Sequence, residues 1–324
     1  MSGHATPGET AVHRVLLTGA TGFVGFRTAR RLLSLGHEVR ALVRRGGEAA
    51  ELAGAGGAAG GKYHEIIADF VDPEAAAAAG AGCDVVVHCA ATSGAELDAV
   101  RRVNRDGTRS MLAAAAGSGA RRFVQISTVS VYDFTALNGA DLDEEAPLCT
   151  EGDPYGVTKA EGDRLVLEAA GKGLPATILR PGAILGLHPT STWAVKVPRR
   201  VREGGALPDR DPASTHPFVH VEDLVDAVLL AIEVEPTPGA AEVYNAVSHN
   251  GTWGGYLGQI RAWFGLGPAQ PPDEVAPATG RNWTGHVRSD RLRRFLGWAP
   301  IRTYMEGMRE AESYWASVSE IEKR

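Results

Sequence analysis

Apolar and polar positions alternate along this chain with two periods, and the switching between them outlines the fold. Residues 12–18 (VHRVLLT) form a short apolar run ending in a glycine-rich turn. Residues 23–35 then place Phe23, Val24, Ala29, Leu32 and Leu33 at helical spacing. Gly36 stops that helix, and 38–43 (EVRALV) reads as a second strand. The stretch 46–62 is rich in Gly and Ala, helical in its first part and a flexible loop over GAGGAAGGK. A third strand is expected at 63–68, a short helix at 72–79, and a nearly continuous apolar strand at 84–90 (DVVVHCA), as when both faces of a sheet are covered. One long helix over 95–118, a strand at 122–128, a helix at 154–170 and a strand at 176–180 complete the series. Strand and helix in steady alternation predict an α/β architecture with a doubly wound parallel sheet.

After Arg180 the rhythm breaks. The spacing predicts a helix over 192–203, an extended segment at 216–219, a helix over 221–233 that Asp223 helps to start, and a late strand at 242–245. Helices follow at 253–264 and 304–315, with a loop at 268–280 (PAQPPDEVAPATG) between them. We read a nucleotide domain over 1–180 with returning pieces near 216–248, and a smaller mixed C-terminal substrate domain from 181–215 and 249–324. The two would meet in a cleft at the carboxyl ends of the strands, where open parallel sheets bind ligands.

Composition narrows the function. The chain has 324 residues, ample for a core, and its net charge of −6 argues against coating nucleic acid or a polybasic membrane role. No apolar run reaches the roughly 18 residues that a membrane span needs. The first 14 residues lack a basic-then-apolar leader pattern and read as a disordered tail, so the expected address is the cytoplasm. Cys83, Cys89 and Cys149 form no C-x-x-C pair and are read as reduced thiols.

The strongest chemical signal is Thr18-Gly19-Ala20-Thr21-Gly22-Phe23-Val24-Gly25, glycines at G-x-x-G-x-x-G spacing between the first strand and first helix. Gly19 permits a tight turn, Gly22 lets a pyrophosphate approach the backbone, and Gly25 lets helix and strand pack closely. The helix-start N–H groups then face the anion. This is the Rossmann arrangement, and it predicts a bound dinucleotide. Dinucleotide sites that hold a ribose 2′-OH usually carry an acid at the end of the second strand. Here the strand runs into Val43-Arg44-Arg45-Gly46, and a guanidinium suits a 2′-phosphate. The expectation is therefore NADP(H), with NAD(H) as the alternative.

At this point the chain resembles the extended short-chain dehydrogenase/reductase family, in its epimerase/dehydratase-like branch. The matching residues are TGATGFVG at 18–25, Ala68-Asp69-Phe70, HCAA at 88–91, Val103-Asn104 with Gly107-Thr108, and Ser127-Thr128 leading to Val131-Tyr132. They continue through the pentad Tyr155-Gly-Val-Thr-Lys159, Leu179-Arg180-Pro181-Gly182, Phe218-Val219-His220-Val221-Glu222-Asp223 and Leu296-Gly297-Trp298-Ala299-Pro300. The resemblance implies that Gly19, Thr21, Gly22, Phe23 and Val24 seat the phosphates and that Asp69 and Phe70 contact the adenine. It implies that Ala90 and Ala91 line the cofactor and that Pro181 and Ile184 border the nicotinamide. Asn104 would support the active site, Thr92 and Ala183 would touch substrate, and a homodimer would form through the helices 95–118 and 154–170.

Tyr155 and Lys159 lie at i and i+4, on one helix face. A nearby ammonium and a cationic nicotinamide would favour the phenolate, letting Tyr155 exchange the substrate hydroxyl proton during hydride transfer. Thr128 would fix the reacting oxygen, and Lys159 would also hold the nicotinamide ribose. Other candidates are weaker. His88 reads as a satisfied core histidine, His216 and His220 show no metal-ligand clustering, and the acidic run 141–145 reads as a solvated lid edge. Trp193, Trp253, Trp263, Trp283 and Trp298 are read mostly as core, with one or two facing an apolar or ring-shaped substrate.

Departures from the family pattern bear on the reaction. Val129 and Ser130 stand where the resembling dehydratases carry Asp-Glu. Ala183 stands where sugar-nucleotide epimerases often carry Asn, and His216-Pro217 where they tend to carry Arg. The reading is a reductase/dehydrogenase acting on a small-molecule carbonyl or secondary alcohol. The alternatives are an NDP-sugar epimerase working through a transient ketone with retained NAD, and a non-catalytic dinucleotide sensor, against which intact Thr128, Tyr155 and Lys159 argue.

Overall fold

The computed structural model describes residues 11–322 apart from 236, 238 and 268–281. The loop expected at 268–280 and the first ten residues of the expected tail therefore lie outside the described residues. The tail reading overshoots at its end, because His13 is buried and Arg14 already opens the first strand.

The alternating half folds as strand and helix by turns: β1 (Arg14–Thr18), α1 (Phe23–Ser34), β2 (Glu38–Val43), β3 (Lys62–Ile67), α2 (Pro73–Gly80) and β4 (Val85–His88). It continues through α3 (Leu97–Arg101), α4 (Gly107–Ser118), β5 (Arg122–Ile126), α5 (Pro154–Gly171) and β6 (Ala176–Pro181). With β9 (Ala241–Ala246) these make one seven-stranded sheet in the order β3-β2-β1-β4-β5-β6-β9, parallel throughout. Side chains alternate across it. Val15 and Leu17 belong to one buried cluster with α1 and α7 (Val221–Glu233), whereas Leu16 joins another with α2, α4 and α5. Burial on both faces is why these strands read as continuous apolar runs.

The expected single helix over 95–118 is interrupted. A π-helical turn, Arg102–Asp106, separates α3 from α4. The wide turn directs Asn104 inward, where it is buried and bonds Thr92 N (2.9 Å), Thr92 O (2.9 Å) and Thr158 Oγ1 (3.0 Å). The α-helix resumes at Gly107, where a Cβ would lie 2.3 Å from the Phe70 ring. Such bulges concentrate at functional sites.

A three-stranded mixed sheet, order β10-β8-β7, is built from β7 (Ala183–Leu185), β8 (Thr215–His220) and β10 (His249–Thr252). The sequence reading grouped 216–219 with the large sheet. Instead β8 pairs parallel with β7 and antiparallel with β10, and only α7 and β9 return to the large sheet. The predicted helix at 192–203 is a π-helical turn, Thr192–Lys196, followed by α6 (Val197–Arg202). Together with α8 (Trp253–Trp263) and α10 (Tyr304–Glu322) these elements enclose a second apolar core around Phe218, Trp253, Tyr256, Ile260 and Met308. α9 (Asp290–Leu296) packs on β9 and α7. A single residue, Gly182, joins the last residue of β6 to the first of β7. A Cβ on it would meet Pro217 O at 2.5 Å.

Candidate active site

The sheet order reverses between β1 and β4, and a cleft of about 1670 Å³ opens at their carboxyl ends. A drug-sized ligand fills roughly 300–1,000 Å³, so this space exceeds what one such ligand needs. Of the sequence-predicted residues, Gly19, Thr21, Gly22, Phe23, Val24, Arg44, Asp69, Phe70, Ala90, Ala91, Thr92, Thr128, Tyr155, Pro181, Ala183 and Ile184 all line this one cleft. Lys159 does not. It is 1 % exposed and lies behind the wall that Tyr155 forms.

The glycine turn has the shape that the sequence requires. Gly19 adopts φ +78°, and a Cβ there would meet Ala90 N at 2.9 Å, so the turn lies flat against the end of β4. A Cβ at Gly25 would meet Gly19 O at 2.1 Å. Gly22 is the N-cap of α1; no side chain caps it and its first turn carries no acid. The helix start is thus left open to an anion.

Arg44 lies exposed at the mouth next to Glu48, a carboxylate that the sequence reading passed over because it falls beyond the strand end. Glu48 stands 3.8 Å from Arg45. Farther along, Asp69 pairs with Arg102 at 3.0 Å, and both line the cleft. Nothing in the spacing marked Arg102, since only the π-helical turn brings it there. Phe70 sets its ring edge-on to His88, 5.4 Å between centroids. His88 is only half satisfied: Nδ1 bonds Thr18 Oγ1 at 2.7 Å, but buried Nε2 has no partner in the protein. Burial, reinforced by the charge of Lys159, lowers its pKa to about 3, so it is neutral.

Thr128 lies two residues beyond β5 and caps the short turn after it, accepting from Ser130 N at 3.1 Å. Tyr155 enters on the first turn of α5, which Pro154 and the Asp153 cap begin, and lines the cleft together with Thr128. Lys159, one turn on, donates Nζ to Ile126 O at 2.7 Å. The expectation of an easily ionised phenol is reversed in the chain alone. Burial pushes Tyr155 up to about 12, against which the Thr128 hydroxyl works. Burial pulls Lys159 down to about 8, partly offset by the charge of Asp163.

Behind the site lies a buried ionic network that the sequence did not reveal. Arg180 Nε donates to Asp163 Oδ2 at 2.9 Å, and the two side chains are 2 % and 0 % exposed. Arg180 Nη1 donates to Tyr132 Oη at 2.9 Å, and Tyr132 donates to Asn245 Oδ1 at 2.7 Å. The run 141–145 is only partly a solvated edge: Asp141, Asp143 and Glu145 are exposed, but Leu142 and Glu144 are not. Glu144 is buried, accepts from Asn245 N at 2.8 Å, and has its pKa raised by that burial. Glu145 pairs with Arg291 at 2.6 Å. His220 caps α7 by accepting from Glu222 N. Among the tryptophans Trp193 and Trp283 reach the cleft, while Trp253 and Trp298 are core.

Comparison with known proteins fits this picture. The model of the NAD dependent epimerase/dehydratase family matches residues 15–246. The chain is 32% identical, over 91% of its own length and 94% of the relative's, to a 4-hydroxy-2-methyl-3-oxo-4-farnesyl-3,4-dihydroquinoline-1-oxide ketoreductase of Stigmatella aurantiaca. It is 30% identical, over 91% of each chain, to a dTDP-glucose 4,6-dehydratase of Streptomyces griseus. The UDP-glucose 4-epimerase of Thermotoga maritima shares its fold with a TM-score of 0.77, at 19% identity over 94% of this chain and 99% of that one. With its parallel seven-stranded sheet, open glycine turn and Thr128–Tyr155–Lys159 group, the chain belongs to the NAD dependent epimerase/dehydratase family, the extended short-chain dehydrogenases/reductases.

Proposed function

We propose that the protein is a reductase/dehydrogenase moving hydride between a nicotinamide and a small-molecule carbonyl or secondary alcohol. The observation that carries it is that Tyr155 and Thr128 line one cleft with an uncapped glycine turn. The residues present fit a dinucleotide: the space that a Cβ would fill at Gly19 and Gly25 is taken by backbone, and the open helix start faces the cleft. Thr21, Gly22, Phe23 and Val24 would hold the pyrophosphate, and Asp69 and Phe70 the adenine. Ala90, Ala91, Pro181 and Ile184 would border the rest. When bound, the nicotinamide supplies or accepts the hydride.

This chain's own residues then handle the oxygen. Thr128 and Tyr155 bind it from one side, fixing its distance from the nicotinamide. Held up at about 12, Tyr155 is a neutral phenol at neutral pH and can give its proton to an oxygen that is gaining negative charge. Lys159, protonated below about 8 and tied to Ile126 O, stabilises the phenolate left behind. Oxidation of an alcohol runs the same proton the other way. Ala183 and Thr92 would touch substrate. The reading includes a homodimer through the helical stretch 95–118 and α5, which sedimentation would test.

The NDP-sugar epimerase is the second reading, favoured by the likeness to the Thermotoga enzyme's fold. Val129 and Ser130 line the cleft after Thr128, offering neither the acid nor the base of a dehydratase. Denaturing the purified protein and identifying released nucleotide separates the two readings. Protein purified without nucleotide, then reducing ketones with added NADPH, is the expected result. Stoichiometric retained NAD would overturn it.

Two variants test the cofactor assignment. Arg44 is exposed at the cleft mouth, so it is free to reach a 2′-phosphate, and we infer NADP(H) as the preferred form. Arg44→Ala should reduce the NADPH-over-NADH preference in kcat/KM by about tenfold, the worth of one charge-assisted contact. An unaltered ratio would return the assignment to NAD(H). Gly25→Ala forces a methyl into Gly19 O, and a clash of this kind costs about 1–3 kcal/mol. Fluorescence titration should show NADPH binding at least about tenfold weaker.

A further inference from the structure

The cleft wall opposite the glycine turn contains a histidine whose hydrogen-bonding state the structure fixes. His216 sits in β8, 4 % exposed, and lines the cleft. Arg210 Nη1 lies 3.3 Å from its Nδ1. A guanidinium has only donors, so Nδ1 must be the bare acceptor nitrogen and the ring proton must be on Nε2. Arg210 is also committed elsewhere, donating to Thr215 O at 2.9 Å and lying over the Trp253 ring at 5.2 Å. Burial and the charge of Arg210 both keep the imidazole neutral, with its pKa well below the ordinary value. Yet Nε2 is buried and has no partner in the protein. A buried donor without an acceptor is costly, and native structures rarely leave one.

The surroundings say what kind of acceptor suits it. Around the imidazole stand Trp193 at 4.4 Å, Phe218 at 4.6 Å, Trp253 at 5.3 Å and Tyr256 at 5.4 Å between centroids. Trp193 lines the cleft too. The Tyr256 hydroxyl donates to Trp193 O at 2.5 Å and does not accept from Nε2. A single neutral N–H within aromatic walls matches one uncharged oxygen on a flat or apolar body. A neutral N–H offers a diphosphate little, since that group is held by charge-assisted donors such as Arg210 and Lys196, which also line the cleft.

We propose that His216 is a specificity-determining residue whose Nε2–H donates to a second, uncharged carbonyl oxygen of a ring-bearing keto substrate lying against Trp193. The substrate class is then a ketone with a further neutral carbonyl, and not a sugar nucleotide. This rests on the reductase reading above. It adds a second anchoring point, separate from the oxygen that Thr128 and Tyr155 hold.

The test uses two phenyl ketones of similar size. Ethyl benzoylacetate carries a second carbonyl; valerophenone has only the reacting one. The preference for the first over the second is measured twice, as a ratio of kcat/KM with NADPH and as a ratio of Kd from tryptophan quenching of the NADP⁺-loaded protein. His216→Phe, which keeps a flat ring and loses the donor, should lower both ratios about five- to tenfold. His216→Met serves the same purpose if the larger ring disturbs the wall. His216→Gln, whose amide offers an N–H, should recover part of the loss. A merely structural role weakens both ketones alike and leaves the ratios unmoved, and that result overturns the proposal: the N–H would then rest on an indole face. If neither ketone binds or is reduced while UDP-glucose is epimerised, the reductase reading itself fails and the proposal falls with it.

Discussion

Replacing Tyr155 by Phe should lower kcat for ketone reduction by about a thousandfold, in the middle of the range for loss of a positioned acid–base group. NADPH affinity should change by less than about threefold, because the variant removes one hydroxyl from a cleft wall otherwise intact. Steady-state assays beside a fluorescence titration would show both. Activity within tenfold of the parent would remove Tyr155 as the proton donor. The pH profile adds a signed expectation. Tyr155 stays protonated up to about 12, so it does not limit reduction at neutral pH. Lys159 loses its proton near 8, so the reductive rate should fall above that pH as the charge that stabilises the phenolate disappears. Asp163 raises the Lys159 pKa, so neutralising Asp163 should move the fall to lower pH.

The same substitution, Asp163→Asn, carries the second large effect, on stability. Arg180 and Asp163 are 2 % and 0 % exposed and bonded at 2.9 Å. Taking away one charge leaves the other buried without compensation, which typically costs about 3–5 kcal/mol. Urea unfolding should show a lower midpoint at constant slope. A loss below about 1 kcal/mol would mean that Tyr132, which also bonds Arg180, satisfies the guanidinium alone. Measuring pH profile and unfolding on one variant separates the electrostatic role of Asp163 from its structural one.

What was legible in the sequence, and what was not, follows from how each feature is encoded. The seven-stranded sheet was readable because strands buried on both faces are apolar throughout and helices between them repeat every 3.6 residues. Gly19, Gly22 and Gly25 were readable because backbone approach tolerates no Cβ, so residue type and geometry coincide. β8 was misplaced because an all-buried strand looks the same whichever sheet receives it. The π-helical turn at 102–106 left no periodic trace, yet it alone brings Arg102 to the cleft and Asn104 beneath it. Glu144 falls in a run that reads as solvated, and nothing in the spacing singles out Asp163. Their partners, Asn245 and Arg180, are 101 and 17 residues away, a separation local patterning cannot bridge. The pKa of Tyr155 went the other way from expectation because spacing reports which groups are neighbours and says nothing of the burial that outweighs them.

The one-residue junction at Gly182 has a meaning for how such enzymes diversify. Pro181 closes a strand of the cofactor sheet and Ala183 opens a strand of the small sheet, with backbone packed too tightly at 182 to admit a side chain. Everything that recognises the dinucleotide lies on one side of that joint or is braced against it. The aromatic wall with His216 and Trp193 hangs from the other. A lineage can therefore rewrite the wall, trading one class of guest for another, without resetting the geometry of hydride delivery. For an engineer the joint is the splice point: replacing the wall elements α6, β8 and β10 while leaving α7 and β9 on the large sheet should retain the redox half, whereas any graft that shifts Gly182 should damage both.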